Sequence, residues 1–191
     1  MDTRELILDA AASVIRHRGM AKTTTREIAR EAGYSEATLY KHFTGKAELL
    51  VSVLRERSPA MAQLTRAMDS DDDDLVEGLT AIAGAAIAFY TDSFPMLASI
   101  FSEPTILAAH TAGLRLVGAG PQRVNEAVVE YLRRHQTLGV VSADADLDGA
   151  AGLLVGACFQ HAFLGHMNWS ERRTDERAAS AFAALVATTL R

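Results

Sequence analysis

A chain of 191 residues, 49% of them hydrophobic and 23% charged, is long enough to bury a sizeable core and too apolar for wholesale disorder. Its single cysteine, Cys158, excludes an intrachain disulfide and a multi-cysteine metal site. The net charge of −5 hides a split: Arg16 to Lys46 holds seven Lys/Arg against three Glu, a local +4, so the remainder carries −9.

Helical periodicity runs nearly throughout and no stretch alternates convincingly as a strand. Leu6, Ala10 and Val14 with Ile7, Ala11 and Ile15 give an i, i+4 stripe on a first helix, with Gly19 placed to close it. Thr24-x-x-Glu27 is a capping box that starts a second helix, and Gly33 ends it. Ser35 can cap a short third helix from Glu36 to Phe43. After Thr44-Gly45, the residues Leu49, Leu50, Val53 and Leu54 mark a fourth, which Pro59 must end or kink. The acidic run Asp69 to Asp74 lacks the glycine and distal glutamate of a calcium loop, so it reads as a solvated linker whose last Asp caps the next helix.

Beyond that linker, Leu75, Leu79, Ile82, Ala86 and Tyr90 form a fifth stripe. Phe94, Leu97, Ile100 and Phe101 form a short sixth, bounded by Pro95 in its first turn and by Pro104. Thr105 to Val117 is ambiguous. Val124 to His135 is a strong helix, Asp146 caps another running to about Met167, and Thr174 caps the last. The expectation is an all-α fold of about nine helices.

Several function classes fall away. No uninterrupted apolar run reaches membrane-spanning length, since Leu147 to Phe163 is broken by Asp148, Gln160 and glycines. The opening Met1 to Glu5 lacks the basic start and apolar core of a secretory signal, so a cytoplasmic protein with no membrane partner is expected. The chain carries no G-x-S-x-G, Walker loop, H-E-x-x-H or Rossmann signature, so neither an enzyme nor a cofactor is expected. Cys158 and His161 stand at i, i+3, but His166 is off that face and no carboxylate has matching spacing, so no metal is expected.

Residues 24–43 read TTREIAREAGYSEATLYKHF, two short helices around a glycine-containing turn. Ile28, Ala29, Ala32, Leu39 and Phe43 are the apolar anchors of a helix-turn-helix; Ala29 is small enough to let the helices meet, and Gly33 tolerates positive φ. That layout frees the N-terminal end of the third helix for the major groove, and Thr24, Thr25, Ser35 and Thr38 put hydroxyls toward phosphate oxygens. With Phe43-Thr44-Gly45-Lys46-x-x-Leu49-Leu50 following, residues 3–54 closely resemble the tetracycline-repressor (TetR) family. The resemblance implies phosphate contacts by Thr25, Thr38, Tyr40, His42 and Lys46, and an approach to base edges by Arg26, Glu36, Ala37 and Lys41. Ala37 replaces a glycine frequent in the family and could meet a thymine methyl. Glu36 either accepts from a cytosine amine or only favours the positive helix end.

The resemblance also implies a homodimer on a palindromic operator, with residues 1–54 holding the DNA and 55–191 holding a small-molecule effector and the dimer contact. Gly149, Gly152 and Gly156 fall on one helix face, where glycine is a poor helix former and close backbone approach would explain it. A two-fold contact with the last helix (Phe182, Leu185, Thr189) is the preferred reading; close packing within one subunit is the alternative. Phe89, Tyr90, Met96, Phe101, Tyr131, Phe159, Phe163, Met167 and Trp169 are candidates to line an apolar pocket, with His110, Gln160 and His161 to orient a ligand. The expected function is a ligand-released repressor, against an effector-free architectural DNA binder.

Overall fold

A computed structural model of the chain describes residues 2–18, 23–70, 74–102, 104–116, 118, 120–168 and 172–191, with the side chains of Arg16, Ser99, Thr105 and Ile106 left aside. The expected cap Gly19, the linker residues Asp71 to Asp73 and Trp169 lie outside the described residues. Among the described residues there are ten helices and no strand: α1 (Thr3–Arg18), α2 (Thr25–Glu31), α3 (Glu36–His42), α4 (Lys46–Arg57), α5 (Pro59–Met68), α6 (Leu75–Phe101), α7 (Pro104–Leu116), α8 (Gln122–Thr137), α9 (Leu147–His166) and α10 (Asp175–Thr189). The fold is all-α, as the periodicity indicated.

The differences in count have local causes. Pro59 does end α4, at Arg57 with Ser58 as C-cap, but it then opens α5, where its missing N–H costs nothing. The fifth and sixth stripes are one helix, because Pro95 sits inside α6 without breaking it. A proline removes the amide that would reach the carbonyl four residues back, here that of Thr91. His166 Nε2 donates to that carbonyl at 2.9 Å and replaces the lost partner. The ambiguous stretch is helix α7. Asp74 caps α6 as expected, its Oδ1 accepting from the amides of Val76 (2.8 Å) and Glu77 (3.1 Å).

Two helical segments, Leu75–Ala98 and Leu147–His166, are long and apolar enough to cross a bilayer by length and composition, although Glu77, Asp92 and Asp148 interrupt them. Asp148 and Gln160 interrupt the α9 run without making it polar, and both helices supply buried residues to a protein core.

The chain packs as two compact units, Met1–Pro59 with Ser93–Gly120, and Ala60–Asp92 with Pro121–Arg191. The packing division therefore differs from a cut of the chain at residue 54. The first unit buries Ile7, Leu8 and Ala11 of α1 against Ile28, Ala29, Leu39, Phe43 and Leu49. A smaller cluster joins Leu50 of α4 to Met96 and Ile100, with Ile15, Leu54 and Leu107 around them. Across α1 and α4, Arg4 holds Glu56 through two bonds of 2.8 Å and lies over the Phe43 ring, while Arg57 bonds Asp9 at 2.7 Å and also Glu5.

In the second unit, Leu79, Ile82, Ala83 and Ile87 of α6 share a core with Val128, Tyr131 and Leu132 of α8, Leu154 and Cys158 of α9, and Ala183 and Val186 of α10. Arg134 Nη2 reaches the Met68 carbonyl at 2.7 Å, so a cation sits on the C-terminal end of α5. Ser142 N donates to Leu190 O at 2.8 Å and closes the end of α10.

Candidate nucleic-acid interface

The helix-turn-helix is set by its caps. At α2, Glu27 N donates to Thr24 Oγ1 (3.2 Å) and Thr24 N donates to Glu27 Oε2 (3.1 Å), the reciprocal pair that the spacing predicts. Those bonds from Thr24, with Arg18 at 2.7 Å, hold the Glu27 carboxyl below its usual range. Gly33 takes φ 77° in the turn, and Tyr34 N returns to Ala29 O at 2.9 Å. At α3, Ser35 Oγ accepts from Thr38 N (3.1 Å) and lies 2.9 Å from Thr38 Oγ1. Side-chain caps of this kind take only some of the first-turn amides; the rest point outward along the positive helix end.

Arg26, Ala37, Tyr40 and Lys41 are exposed on this face, Tyr40 by 49%, and Thr38 and His42 are half-buried. Thr25 is different: it is buried, and its hydroxyl donates to Glu36 Oε1 at 2.6 Å and lies 3.2 Å from Tyr40 OH. Arg26 Nε stands 3.8 Å from Glu36 Oε2. One residue pair of α2 thus fixes one pair of α3. Glu36 has a bonding partner inside the head that neither reading of its sequence position included. Nothing in the sequence signals it, because side chains eleven and fifteen residues apart meet only through the turn.

Lys46 opens α4, and its Nζ donates to Thr23 O at 2.6 Å, tying the start of α4 to the start of α2. Partial burial lowers its pKa, with Glu27 opposing the shift. The N-cap Gly45 brings no side-chain bond; Glu48 closes this end instead, accepting from Thr44 N at 2.6 Å and Thr44 Oγ1 at 2.7 Å. A phosphate oxygen would restore part of the hydration that Lys46 has lost.

The expected pocket residues are divided between the two units. In the first unit, Met96 is buried, Phe101 is exposed, and His110 is 9% exposed with its Nδ1 unpartnered and its pKa lowered by burial. In the second, Tyr90 lies edge-on to Phe159 with 5.3 Å between ring centres and 5.3 Å from Phe89. Tyr131 is fully buried beside His135, whereas Gln160, Phe163 and Met167 are exposed. His161 is buried, with Nε2 2.7 Å from Arg172 Nη1 and 3.0 Å from Asp175 Oδ1. Cys158 lies against Ala83 O at 3.6 Å, and burial pushes its thiol up to about 12.

Among the three aligned glycines, a Cβ on Gly149 would collide with the Asp146 carboxylate, which caps α9 through Gly149 N at 2.9 Å. A Cβ on Gly152 or Gly156 would meet open space. Packing against this chain therefore does not explain the latter two. Leu153, next to Gly152 on α9, is 63% exposed and Leu185 on α10 is 66% exposed, while Thr189 is exposed and Phe182 is half-buried at the core edge.

Residues 7–53 match the model of the bacterial regulatory proteins of the tetR family. Over 148 residues the chain is 27% identical to the uncharacterized HTH-type transcriptional regulator YvkB of Bacillus subtilis, covering 78% of this chain and 75% of that one. It is 38% identical over 72 residues to the HTH-type transcriptional regulator TtgR of Pseudomonas putida, where the match covers 38% of this chain and only 34% of that one. A tetR-family regulator structure from Mesorhizobium loti superposes with a TM-score of 0.73 at 22% identity, over 97% of this chain and 95% of that one. The FadR regulator of Bacillus subtilis in complex with stearoyl-CoA gives 0.64 at 17% identity, over 98% and 99%. These structural likenesses establish the fold.

Proposed function

The chain belongs to the tetR family of transcriptional regulators, and from that premise we propose that it is a repressor: a cytoplasmic homodimer that grips a palindromic operator and is released by a small, mostly apolar ligand. Residues 1–54 hold the DNA, and residues 55–191 carry the effector site and the self-contact. Direct phosphate contacts fall to Thr38, Tyr40, His42 and Lys46, and the base edges meet Ala37, Lys41 and Arg26. Thr24 and Ser35 hold the helix ends that face the backbone, while Thr25 and Glu36 hold Arg26 and Tyr40 in place. The observation that carries this reading is the exposed, cross-linked face of α2 and α3, with Lys46 fixed beside the start of α2.

Self-association is supported by the α9 face around Gly152 and Gly156, open in one chain, with Leu153 exposed next to Gly152. A two-fold pairing there would set the heads about 34–36 Å apart, or a multiple, on one side of the duplex. The effector reading is supported by the stearoyl-CoA complex of the fold neighbour and by His110, whose buried Nδ1 can accept from a ligand's polar group. Release requires the ligand to prefer the conformation that binds DNA poorly, so DNA-bound protein must bind ligand less tightly.

The test begins with duplexes selected from a random pool. Lys46→Ala and Tyr40→Phe should weaken binding to every sequence alike. Losing Lys46 from both subunits should flatten the slope of log K against log salt by about 2, near 0.9 per contact. An unchanged slope would remove Lys46 from the backbone contacts. A broad screen of apolar compounds that finds no saturable binding and no operator release would replace the effector reading with an effector-free DNA binder.

A further inference from the structure

Within the first unit, α7 passes against the first turn of α4 at a glycine. A Cβ built on Gly113 would stand 3.0 Å from Ala47 Cβ, 3.8 Å from Glu48 N and 3.9 Å from Ala47 C. Gly113 lies inside a regular helix and its φ is not positive, so no backbone conformation demands glycine there. The reason is steric. Ala47 Cβ is fixed to the helix backbone and cannot rotate away as the end of a long side chain would, so any side chain at position 113 must push α4 or α7. The element it would push is the turn that begins with Lys46, whose ammonium sits on the Thr23 carbonyl just ahead of the α2 cap.

We propose that Gly113 is a positioning residue for DNA binding: by letting the α7 backbone meet Ala47, it sets the first turn of α4 and so the place of Lys46 relative to α2. The inference rests on the proposed phosphate contact of Lys46. It predicts that a single methyl on α7, a residue outside residues 1–54, weakens the grip of the head on DNA.

Gly113→Ala is the direct probe, and it separates positioning from folding because alanine is the better helix former. The variant should keep its helical content and a thermal midpoint close to the parent's, the helix propensity gained offsetting the local crowding. Operator affinity should fall about tenfold, and the salt slope should drop toward that of Lys46→Ala. Ala47→Gly combined with Gly113→Ala removes the obstructing carbon and should recover most of the affinity and the slope lost by Gly113→Ala. Ala47→Val in the parent presses the same contact from α4 and should reproduce the loss, which keeps the test open should Gly113→Ala fail to fold. Parent-like affinity and slope in Gly113→Ala, or a loss that Ala47→Gly does not rescue, would overturn the inference. Lys46→Ala run alongside distinguishes the failures: an unchanged slope there sinks the phosphate reading itself, whereas a lowered slope there with none in Gly113→Ala sinks the positioning role alone.

Discussion

At α2 and α3 the caps and one buried hydroxyl are bonded within the head: Thr24 to Glu27, Ser35 to Thr38, and buried Thr25 to Glu36. The second unit is the opposite, with Gly152 and Gly156 of α9 over open space and Leu153 of α9 and Leu185 of α10 exposed. The first surface is prearranged, so little side-chain freedom remains to be lost when a rigid duplex docks. The second is incomplete as a water-facing surface and improves only when something apolar covers it.

The largest effect should come from spoiling the incomplete face. Gly152→Leu adds a side chain where one chain has room and a paired chain would not. The variant should sediment as a monomer and keep its helical content. It should lose operator affinity by roughly a hundredfold or more, because two linked half-site contacts become one. A dimer that survives the change would move the seam elsewhere.

Next in size is a change confined to the core of the second unit. A Cβ on Gly78 would fall on the Tyr131 hydroxyl and 2.9 Å from its Cζ, and Tyr131 is fully buried. Gly78→Ala should therefore cost about 1–3 kcal/mol in denaturant unfolding, overpacking outweighing the helix propensity gained. The folded protein should still bind DNA with the parent's salt slope. A stabilised variant would mean that Tyr131 moves aside freely.

The two faces were not equally legible in the sequence. The head could be read because its function demands particular residue types at fixed offsets: Thr24 and Glu27 for the cap, Ala29 for the close crossing, Gly33 for its φ of 77°. The second unit could be read only as periodicity, which marks a helix but not its neighbours, so the sequence alone does not say which of Phe89, Tyr90, Phe159 and Phe163 meet; the structure sets Tyr90 against Phe89 and Phe159. Pro95 misled because a proline inside a helix usually breaks it, and the compensation lies seventy-odd residues away at His166. Gly149, Gly152 and Gly156 looked alike in spacing, yet one answers to a cap and two to open space. Nothing local in the chain announces Gly113 against Ala47, or Thr25 between Glu36 and Tyr40.

Thr25→Val tests whether the head is in fact prearranged. The substitution keeps shape and burial but removes the hydroxyl that fixes Glu36 and Tyr40. Losing a hydrogen bond to a charged group should cost about 1.5 kcal/mol of stability, the low end of the usual range because Glu36 is partly exposed. Operator affinity should fall about fivefold, roughly 1 kcal/mol, as Arg26 and Tyr40 regain freedom. Tyr40→Phe added to Thr25→Val should then cost less than Tyr40→Phe alone. Fully additive losses would mean that Thr25 does not act through Tyr40.

The smallest effect, seen only in acid, separates the units by what holds them. In the first unit α1 and α4 are joined by ion pairs, and the Arg4 guanidinium, through its hydrogen bonds, brings the Glu56 carboxyl from 4.5 down to about 2. A folded-state pKa below the unfolded one means that the stabilisation is complete above the ordinary value and is lost as pH falls through the folded one. For Glu56 that window runs from 4.5 down to about 2. Glu56→Gln cannot titrate, so its unfolding midpoint should be slightly lower than the parent's at pH 7 and should fall less steeply across the window. The two curves should converge near its lower end. The partly exposed pair is screened by water, which keeps the difference small. Curves that stay parallel through the window would show that Arg4 does not hold Glu56 ionised, and that the apolar cluster of Ile7, Leu8 and Leu49 with the Arg57 pairs joins α1 to α4 without it.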